Sequence, residues 1–258
     1  RVEDVQFVRA LSGLVSLFVY GRQIRSLQGL DGFAGRWITV DTGKGRRQKR
    51  SLAELKQAPF LSGLKVGWPH AEDTAAIGQL RHLKKLELYG CRDLDPTALA
   101  FTPIELLRVQ ASFASLENLG KLSSLNRLAI YDCRKLESIE GEGSSLRELL
   151  VQGCHQLVWD SISSFPALRR AYLVGLKQGI DVGRLFSSQS AEYISFQKCK
   201  VTVSKIVDFG AKLPRLRELL FSLCGVSKQA ALELSRRNKD VVISNGPATF
   251  KNGEPCLE

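Results

Sequence analysis

Three stretches of the chain share one pattern, and that pattern decides the fold: LKKLELYGCRDL at residues 83–94, LNRLAIYDCRKL at 125–136 and LRELLVQGCHQL at 146–157. In register they give L-x-x-L-x-L-x-x-C-x-x-L, and the pattern extends in both directions at intervals of 21 to 26 residues. Its second leucine-type position falls on eleven residues: Leu17, Ile38, Leu64, Leu86, Leu107, Leu128, Leu149, Ala171, Ile194, Leu219 and Val241. Repetition at this period predicts an architecture in which each short repeat buries its apolar face only against its neighbours.

The pattern resembles the leucine-rich-repeat family, whose signature is L-x-x-L-x-L-x-x-N/C. The resemblance covers roughly residues 5–246 and implies an α/β solenoid of horseshoe shape, with about eleven repeats of ~22 residues and a concave parallel β-sheet. Repeats this short are similar to the internalin-like subclass, which implies extended or 3₁₀ segments on the convex side. Two C-terminal segments, 203–213 and 227–237, show apolar residues at i, i+3 and i+4, and this spacing predicts helices.

The repeats predict one domain and a short tail. Residues 1–246 are expected to form a single solenoid, and residues 1–10 supply only half a repeat, so we expect a truncated N-terminal cap. The tail, residues 247–258, is expected to cover the last strand with Phe250, since an open strand edge invites aggregation. Leu257 and Glu258 are left out of the fold argument because they fit an expression remnant.

Five of the six cysteines occupy one phase of the repeat, five residues after a leucine-type position. This cysteine ladder consists of Cys91, Cys133, Cys154, Cys199 and Cys224. The family resemblance implies a buried position beside turn backbone groups, and a free Cys suits such a small, mostly apolar slot. No C-x-x-C pair occurs, so neither a zinc ribbon nor another metal site is expected. Reduced thiols predict a reducing compartment, and we therefore expect a cytoplasmic location.

Side chains alternate along a strand, so positions −1, +1 and +3 around each leucine-type residue should face the concave surface. All five tyrosines of the chain fall on these positions, whereas only one of twelve phenylalanines does. Tyrosine is common in protein interfaces, although it is also simply a good strand former. The predicted partner-binding residues are Tyr20, Trp37, Tyr89, Arg108, Gln110, Arg127, Tyr131, Gln152, Arg170, Tyr172, Tyr193 and Gln197.

The formal charge of +11 does not lie on that predicted face. Its five bases (Lys65, Lys85, Arg108, Arg127 and Arg170) balance five acids (Asp41, Glu87, Glu148, Glu218 and Asp240). A groove built for phosphates should instead carry one sign. Much of the excess lies in a basic loop within the insertion 43–51, consisting of Lys44, Arg46, Arg47, Lys49 and Arg50. A basic flank two residues before the leucine-type positions adds Arg36, Lys84, Arg147, Arg169, Arg217 and Lys239.

The basic loop is open to three interpretations. A run of charge is commonly a solvated loop, but it can also clamp an acidic protein, or bind nucleic acid or an anionic surface. The loop does not fit the phosphate-binding pattern G-x-x-x-x-G-K-[ST].

No motif for catalysis is found. The three histidines lie in different repeats, no cofactor site is predicted, and a Cys154–His155 dyad is disfavoured because a buried thiol is poorly reactive. No apolar run reaches about 18 residues, so no membrane-spanning helix is expected. The sequence therefore favours a non-enzymatic protein-recognition scaffold. The family resemblance implies more specific roles, such as an immunity-like protein that neutralises a bacterial effector, or an adaptor. The alternative is nucleic-acid or anionic-surface binding through the basic loop and flank.

Overall fold

The leucine-type residues from Leu17 to Leu219 lie on parallel strands, and their side chains are buried. The computed structural model describes residues 3–20, 26–41, 52–140, 145–158, 165–182, 188–203, 209 and 213–256. It consists of two compact bodies. The N-terminal body contains Arg1–Phe113 and Lys121–Leu125, and the C-terminal body contains Ala114–Gly120 and Asn126–Glu258.

The sheet of the N-terminal body has five parallel strands in chain order. They are β1 (Ser16–Val19), β2 (Trp37–Asp41), β3 (Gly63–Gly67), β4 (Lys85–Cys91) and β5 (Leu106–Ala111). The pairing aligns the leucine-type residues of the five repeats, from Leu17 to Leu107, and each of these side chains is buried. The residue two positions further on is also buried in every strand, from Val19 to Val109. Because side chains alternate along a strand, these two positions per repeat form the core.

The C-terminal body repeats this arrangement and adds two short strand pairs. Its strands are β6 (Ser115–Leu116), β7 (Arg127–Tyr131), β8 (Ser138–Ile139), β9 (Glu148–Gln152), β10 (Arg170–Val174), β11 (Ile180–Asp181), β12 (Tyr193–Gln197), β13 (Val201–Thr202), β14 (Glu218–Ser222), β15 (Val242–Asn245), β16 (Ala248–Lys251) and β17 (Glu254–Pro255). The main sheet runs β7-β9-β10-β12-β14-β15 in parallel, while β6 pairs with β8 and β11 with β13.

The last predicted repeat is displaced by two residues. Leu219 pairs with Ile243, so Ile243 and not Val241 holds the leucine-type position. The Val241 N–H donates to the Asn238 carbonyl at 2.9 Å, which keeps Val241 in the turn that precedes β15. The prediction of Val241 was therefore wrong, and Asp240 precedes the strand instead of lying on the sheet.

The end of the chain covers the last parallel strand, as the tail was predicted to do. The strands β16 and β17 continue the sheet in antiparallel fashion, and Phe250 pairs with Ile243. The Phe250 side chain is 1% exposed. This hairpin supplies hydrogen-bond partners to a strand edge that would otherwise be open.

The segments between strands are mainly 3₁₀ turns and extended chain, as expected. The 3₁₀ turns are Gln6–Ala10, Leu30–Gly32, Ala53–Gln57, Pro96–Leu99 and Leu119–Lys121. The helix predicted at 227–237 is present at Lys228–Arg237, with the Ser227 hydroxyl accepting from the Ala230 N–H. Most of the helix predicted at 203–213 lies outside the described residues.

One helix was missed by the sequence analysis. This helix, Ala71–Ile77, spans seven residues in the N-terminal body, and its first turn is stabilised by the His70 N–H, which donates to Asp73 Oδ2 at 2.8 Å. Seven residues are too few for a clear apolar periodicity, so the only available signal was the acid three positions into the helix. Within the described ranges, no helix is long and apolar enough to cross a bilayer.

Candidate binding face of the sheet

Each sheet has an outer face, defined here by the strand side chains that point away from the leucine-type core. The burial of β5 and β7 alternates residue by residue, so buried core positions are separated by half-buried or exposed outer positions. Eleven of the twelve predicted binding residues lie at outer positions of strands, and the twelfth, Tyr20, directly follows β1. The structure assigns Tyr20, Trp37, Tyr89, Arg108 and Gln110 to the N-terminal body and the other seven to the C-terminal body.

A connected polar network lies on the outer face of the N-terminal body. The Tyr89 hydroxyl donates to Glu87 Oε2 at 3.3 Å, and Arg108 Nη1 donates to Glu87 Oε1 at 2.8 Å. The Lys65 Nζ lies 4.4 Å from the centre of the Tyr89 ring. The Glu87 side chain is only 10% exposed, so these two donors compensate the loss of water around its carboxylate. Tyr89 and Arg108 are thus held in fixed positions with their remaining surface open to solvent.

Aromatic side chains cover the first strands of the same face. The Trp37 Nε1–H donates to Thr39 Oγ1 at 3.0 Å. The Trp37 ring lies over Gly63 so closely that a side chain at Gly63 would overlap it. Beside it, Phe18 and Tyr20 stack with ring centres 6.3 Å apart and remain 60% and 57% exposed. Glycine at position 63 therefore makes room for a flat aromatic surface on β2.

The outer face of the C-terminal body carries a tyrosine pair. The rings of Tyr172 and Tyr193 lie 5.3 Å apart with an interplanar angle of 41°. Tyr193 stands in register between Arg170 and Glu218, so the pair is flanked by one charge of each sign. Burial raises the pKa of the Tyr193 hydroxyl, and the neighbouring Glu218 raises it further. The hydrogen bond with Ser195 lowers this pKa only in part, so the Tyr193 hydroxyl is neutral at physiological pH.

Two further groups surround this pair. Arg127 Nη2 donates to Glu148 Oε1 at 2.8 Å, and this ion pair lies on the row of the sheet that continues to Arg170 and Tyr193. The row at the carboxyl ends of the strands holds four outer side chains in sequence along the sheet: Tyr131, Gln152, Val174 and Gln197. The face is therefore mixed in charge and contains hydrogen-bonding groups at regular spacing.

The cysteine ladder is buried and its thiols are free, as predicted. The five ladder side chains are at most 7% exposed, whereas Cys256 is exposed. Their thiols donate to backbone carbonyls near the ends of strands, as Cys91 does to Asp93 O at 3.0 Å and Cys199 to Leu173 O at 3.2 Å. A hydrogen bond with Cys133, together with burial, raises the pKa of the Cys154 thiol. Buried neutral thiols of this kind are structural.

Sequence reasoning underestimated the charged residues of the outer face. Lys65 and Glu87 were counted only toward a charge balance, and Phe18 was not among the predicted binding residues. The register places Lys65, Glu87 and Arg108 side by side in neighbouring strands, which makes Glu87 the centre of the polar network. The sequence contained this signal, since all three residues occupy the same position of successive repeats.

The basic features are only partly described. The basic loop, Lys44 to Arg50, lies outside the described residues. In the basic flank, Lys84 pairs with Glu105 at 2.8 Å and Arg169 pairs with Glu192 at 2.5 Å. The hydrogen bond from Arg169, together with the charges of nearby Arg217 and Arg170, lowers the pKa of Glu192.

Within the described ranges, no group of three or more His, Cys, Asp and Glu side chains is arranged to hold a metal ion. His155 Nδ1 lies 3.1 Å from the Gly175 carbonyl oxygen, so the ring is engaged with the backbone of the following repeat.

No family model and no curated protein matches the sequence. Among solved structures, the functional domain of InlJ from Listeria monocytogenes, which includes a cysteine ladder, has a TM-score of 0.53 at 13% identity; the match covers 90% of this chain and 49% of that one. A chain of the mouse RP105/MD-1 complex has a TM-score of 0.52 at 16% identity, with 90% of this chain and 46% of that one covered. The chain thus spans less than half the length of either structure. Both similarities show the leucine-rich-repeat fold that the sequence pattern predicted.

Proposed function

We propose that this chain is a non-enzymatic recognition scaffold that binds another protein on the outer face of its sheet. The observation that carries the proposal is the placement of every tyrosine of the chain on or directly beside that face. Tyrosine combines a large contact area with a low entropic cost and one polar group, which suits a binding surface.

Pre-organisation supports the proposal. Lys65, Glu87 and Arg108 fix the position of Tyr89 and of one another, and the Tyr172 and Tyr193 rings support each other. Side chains that are already ordered lose little rotamer entropy on binding, so more of the contact energy contributes to affinity. The mixed charges of the face favour a folded protein as the partner over a uniformly charged polymer.

Within this proposal, an immunity-like protein that neutralises a bacterial effector, or an adaptor, remains the more specific role. The twelve outer residues predicted from the sequence would form its contacts. The five free, buried thiols are compatible with a reducing compartment, and we therefore place the protein in the cytoplasm as part of the proposal. InlJ and the RP105/MD-1 complex support only the shared scaffold.

One observation favours an alternative function in polyanion binding. The acidic side chain of Glu192 is close to three cations, Arg169, Arg170 and Arg217, so this part of the flank carries a local positive excess. Nucleic acid or an anionic surface could use it together with the basic loop. Such binding would weaken steeply with salt, because each neutralised phosphate releases counterions.

The deciding experiment is affinity capture from the source lysate, followed by measurement of the Kd for the captured protein. The test variant is Tyr172→Ala/Tyr193→Ala. The matched control, Val158→Ser/Leu223→Ser, changes two residues that are exposed but lie off the outer face of the same body. A single hot-spot tyrosine is worth about 2 kcal/mol, so the Kd should weaken about thirtyfold if one of the two is a hot spot and more if both are, and it should remain unchanged in the control.

Equal affinity of both variants would contradict the proposed binding face and leave the tyrosines as strand formers. The polyanion alternative would be favoured if capture disappeared with moderate salt or with nuclease and did not depend on the tyrosine substitutions. Thermal unfolding of both variants checks that the fold is intact.

A further inference from the structure

A groove lies in the N-terminal body, formed by segments between the strands. An open groove of about 800 Å³ is lined by Lys56, Gly78, Gln79, Arg81, Phe101 and Pro103. A smaller groove of about 250 Å³ shares Lys56, Gln79 and Arg81 with it and continues along the chain from Ala58 to Leu61. We call the two together the back groove. None of its residues belongs to the outer face of the sheet, and its size is within the range of ligand-binding clefts, roughly 300–1,000 Å³.

The back groove is positively charged. Lys56 and Arg81 line both parts, His82 lines the smaller part, and none of the described lining residues carries a carboxylate. The acidic residues near these positions in the sequence are committed elsewhere: Glu54 accepts from the Ser26 hydroxyl at 3.0 Å, and Glu105 pairs with Lys84. The groove therefore offers cations that its own lining does not neutralise.

The same groove presents exposed aromatic surface. Phe101, one of its lining residues, is 93% exposed, and Phe60, which lies between the lining residues Pro59 and Leu61, is 61% exposed. Single exposed apolar side chains are normal on protein surfaces. Phe101, however, lines the groove itself and places an apolar surface beside Lys56 and Arg81, a combination that is typical of ligand-binding clefts.

We propose that the back groove docks an acidic linear peptide segment of a partner, with carboxylates beside Lys56 and Arg81 and an apolar side chain against Phe101. The Arg81 guanidinium can hold a carboxylate through two parallel hydrogen bonds. A second copy of this chain is a poor occupant because each copy carries +11. Nucleic-acid sites combine stacking aromatics with a longer basic track along the phosphates than Lys56 and Arg81 provide here. This docking is independent of the outer face and extends the chain's binding capacity beyond the proposed function.

The test uses fluorescein-labelled peptides and fluorescence anisotropy on the intact chain. The first probe has a central Phe flanked on each side by two Asp residues; the second replaces Phe with Ser, and the third replaces the Asp residues with Lys. The protein variants are Arg81→Glu and Phe101→Ser. Their matched controls are Arg92→Glu, an equal charge change at an exposed site outside the groove, and Phe7→Ser, an exposed phenylalanine in the turn Gln6–Ala10, away from both the groove and the outer face.

We expect saturable binding of the Phe/Asp probe that weakens at least tenfold in Arg81→Glu and at least fivefold in Phe101→Ser, with both controls unchanged. The Ser probe should bind several-fold more weakly and the Lys probe not at all. Absence of saturable binding would overturn the proposal. Equal weakening in Arg92→Glu, or equal affinity for the Phe and Ser probes, would also overturn it, since either would indicate nonspecific charge attraction. A doubled mass in sedimentation that is lost in Phe101→Ser would replace the peptide with a second copy.

Discussion

Replacement of Cys133 by aspartate tests the cysteine ladder most directly. The Cys133 side chain is 0% exposed, and its thiol lies 3.5 Å from the Tyr131 carbonyl oxygen. Its neighbour in the ladder, Cys154, is equally buried and hydrogen-bonded to it. A carboxylate in this slot would lose its water and face a carbonyl oxygen. The asparagine of Cys133→Asn has nearly the same shape as the aspartate but no charge. The difference in stability between the two variants therefore isolates the cost of the charge.

The magnitude follows from the expected pKa of the introduced carboxyl. Full burial raises the pKa of a carboxyl by about 3 units from its usual value near 3.9. A pKa that is raised in the folded state destabilises the protein as pH rises above the unfolded value, and the penalty is complete above the folded value. Cys133→Asp should therefore be less stable than Cys133→Asn by about 1 kcal/mol at pH 4.5 and about 4 kcal/mol at pH 7.5. The larger figure is a substantial part of typical domain stability, about 5–15 kcal/mol.

Urea denaturation of the wild type and both variants at pH 4.5, 5.5, 6.5 and 7.5 measures this difference. Cys256→Asp is the control for the substitution itself, because Cys256 is exposed and its replacement should leave stability unchanged at every pH. A gap between Cys133→Asp and Cys133→Asn that does not vary with pH would refute the buried position of Cys133. So would a gap below about 1 kcal/mol at pH 7.5, since that corresponds to less than one unit of pKa change.

Three further predictions follow from single contacts. Thiol labelling of the native protein with an aromatic disulfide should modify Cys256 rapidly and the cysteine ladder slowly, and rapid labelling of several ladder thiols would contradict their burial. Burial raises the pKa of Asp73, so its charge costs stability as pH rises through that pKa. Asp73→Asn keeps an acceptor for the His70 N–H. In thermal unfolding the variant should be at least as stable as the wild type at pH 7, and any gain in stability should vanish at low pH. A large loss of stability at pH 7 would mean that the charge itself stabilises the helix. Gly90 and Gly175 have φ of 67° and 66°, but a side chain at Gly90 would overlap the Trp68 ring, whereas the nearest atom at Gly175 is 4.0 Å away. Urea denaturation should show a loss of about 1 kcal/mol for Gly175→Ala and a clearly larger loss for Gly90→Ala; equal losses would show that only the backbone conformation matters.

Sequence reasoning succeeded wherever a residue acts through the repeat itself. Within each body the leucine-type positions pair as the spacing predicts, from Leu17 to Leu107 and from Leu128 to Leu219, and the ladder thiols are buried. A shift of one residue between neighbouring parallel strands would move the leucines to the outer face, so the need to bury the leucines excludes that register. The prediction for Val241 was wrong because a shift by two residues keeps the same face buried. The apolar pattern alone therefore does not distinguish Val241 from Ile243.

The repeat, its register up to Leu219, the buried thiols and the predicted residues of the outer face could all be predicted from the amino-acid sequence. All of these depend on a periodic core, which appears in the sequence as a periodic pattern. Which outer residues act together depends on the folded structure. The role of Glu87 depends on distances to Tyr89 and Arg108 in and across strands, and the back groove joins Lys56, Arg81 and Phe101 from three segments between strands. Contacts of this kind have no period, because they depend on where individual side chains and irregular segments meet in space.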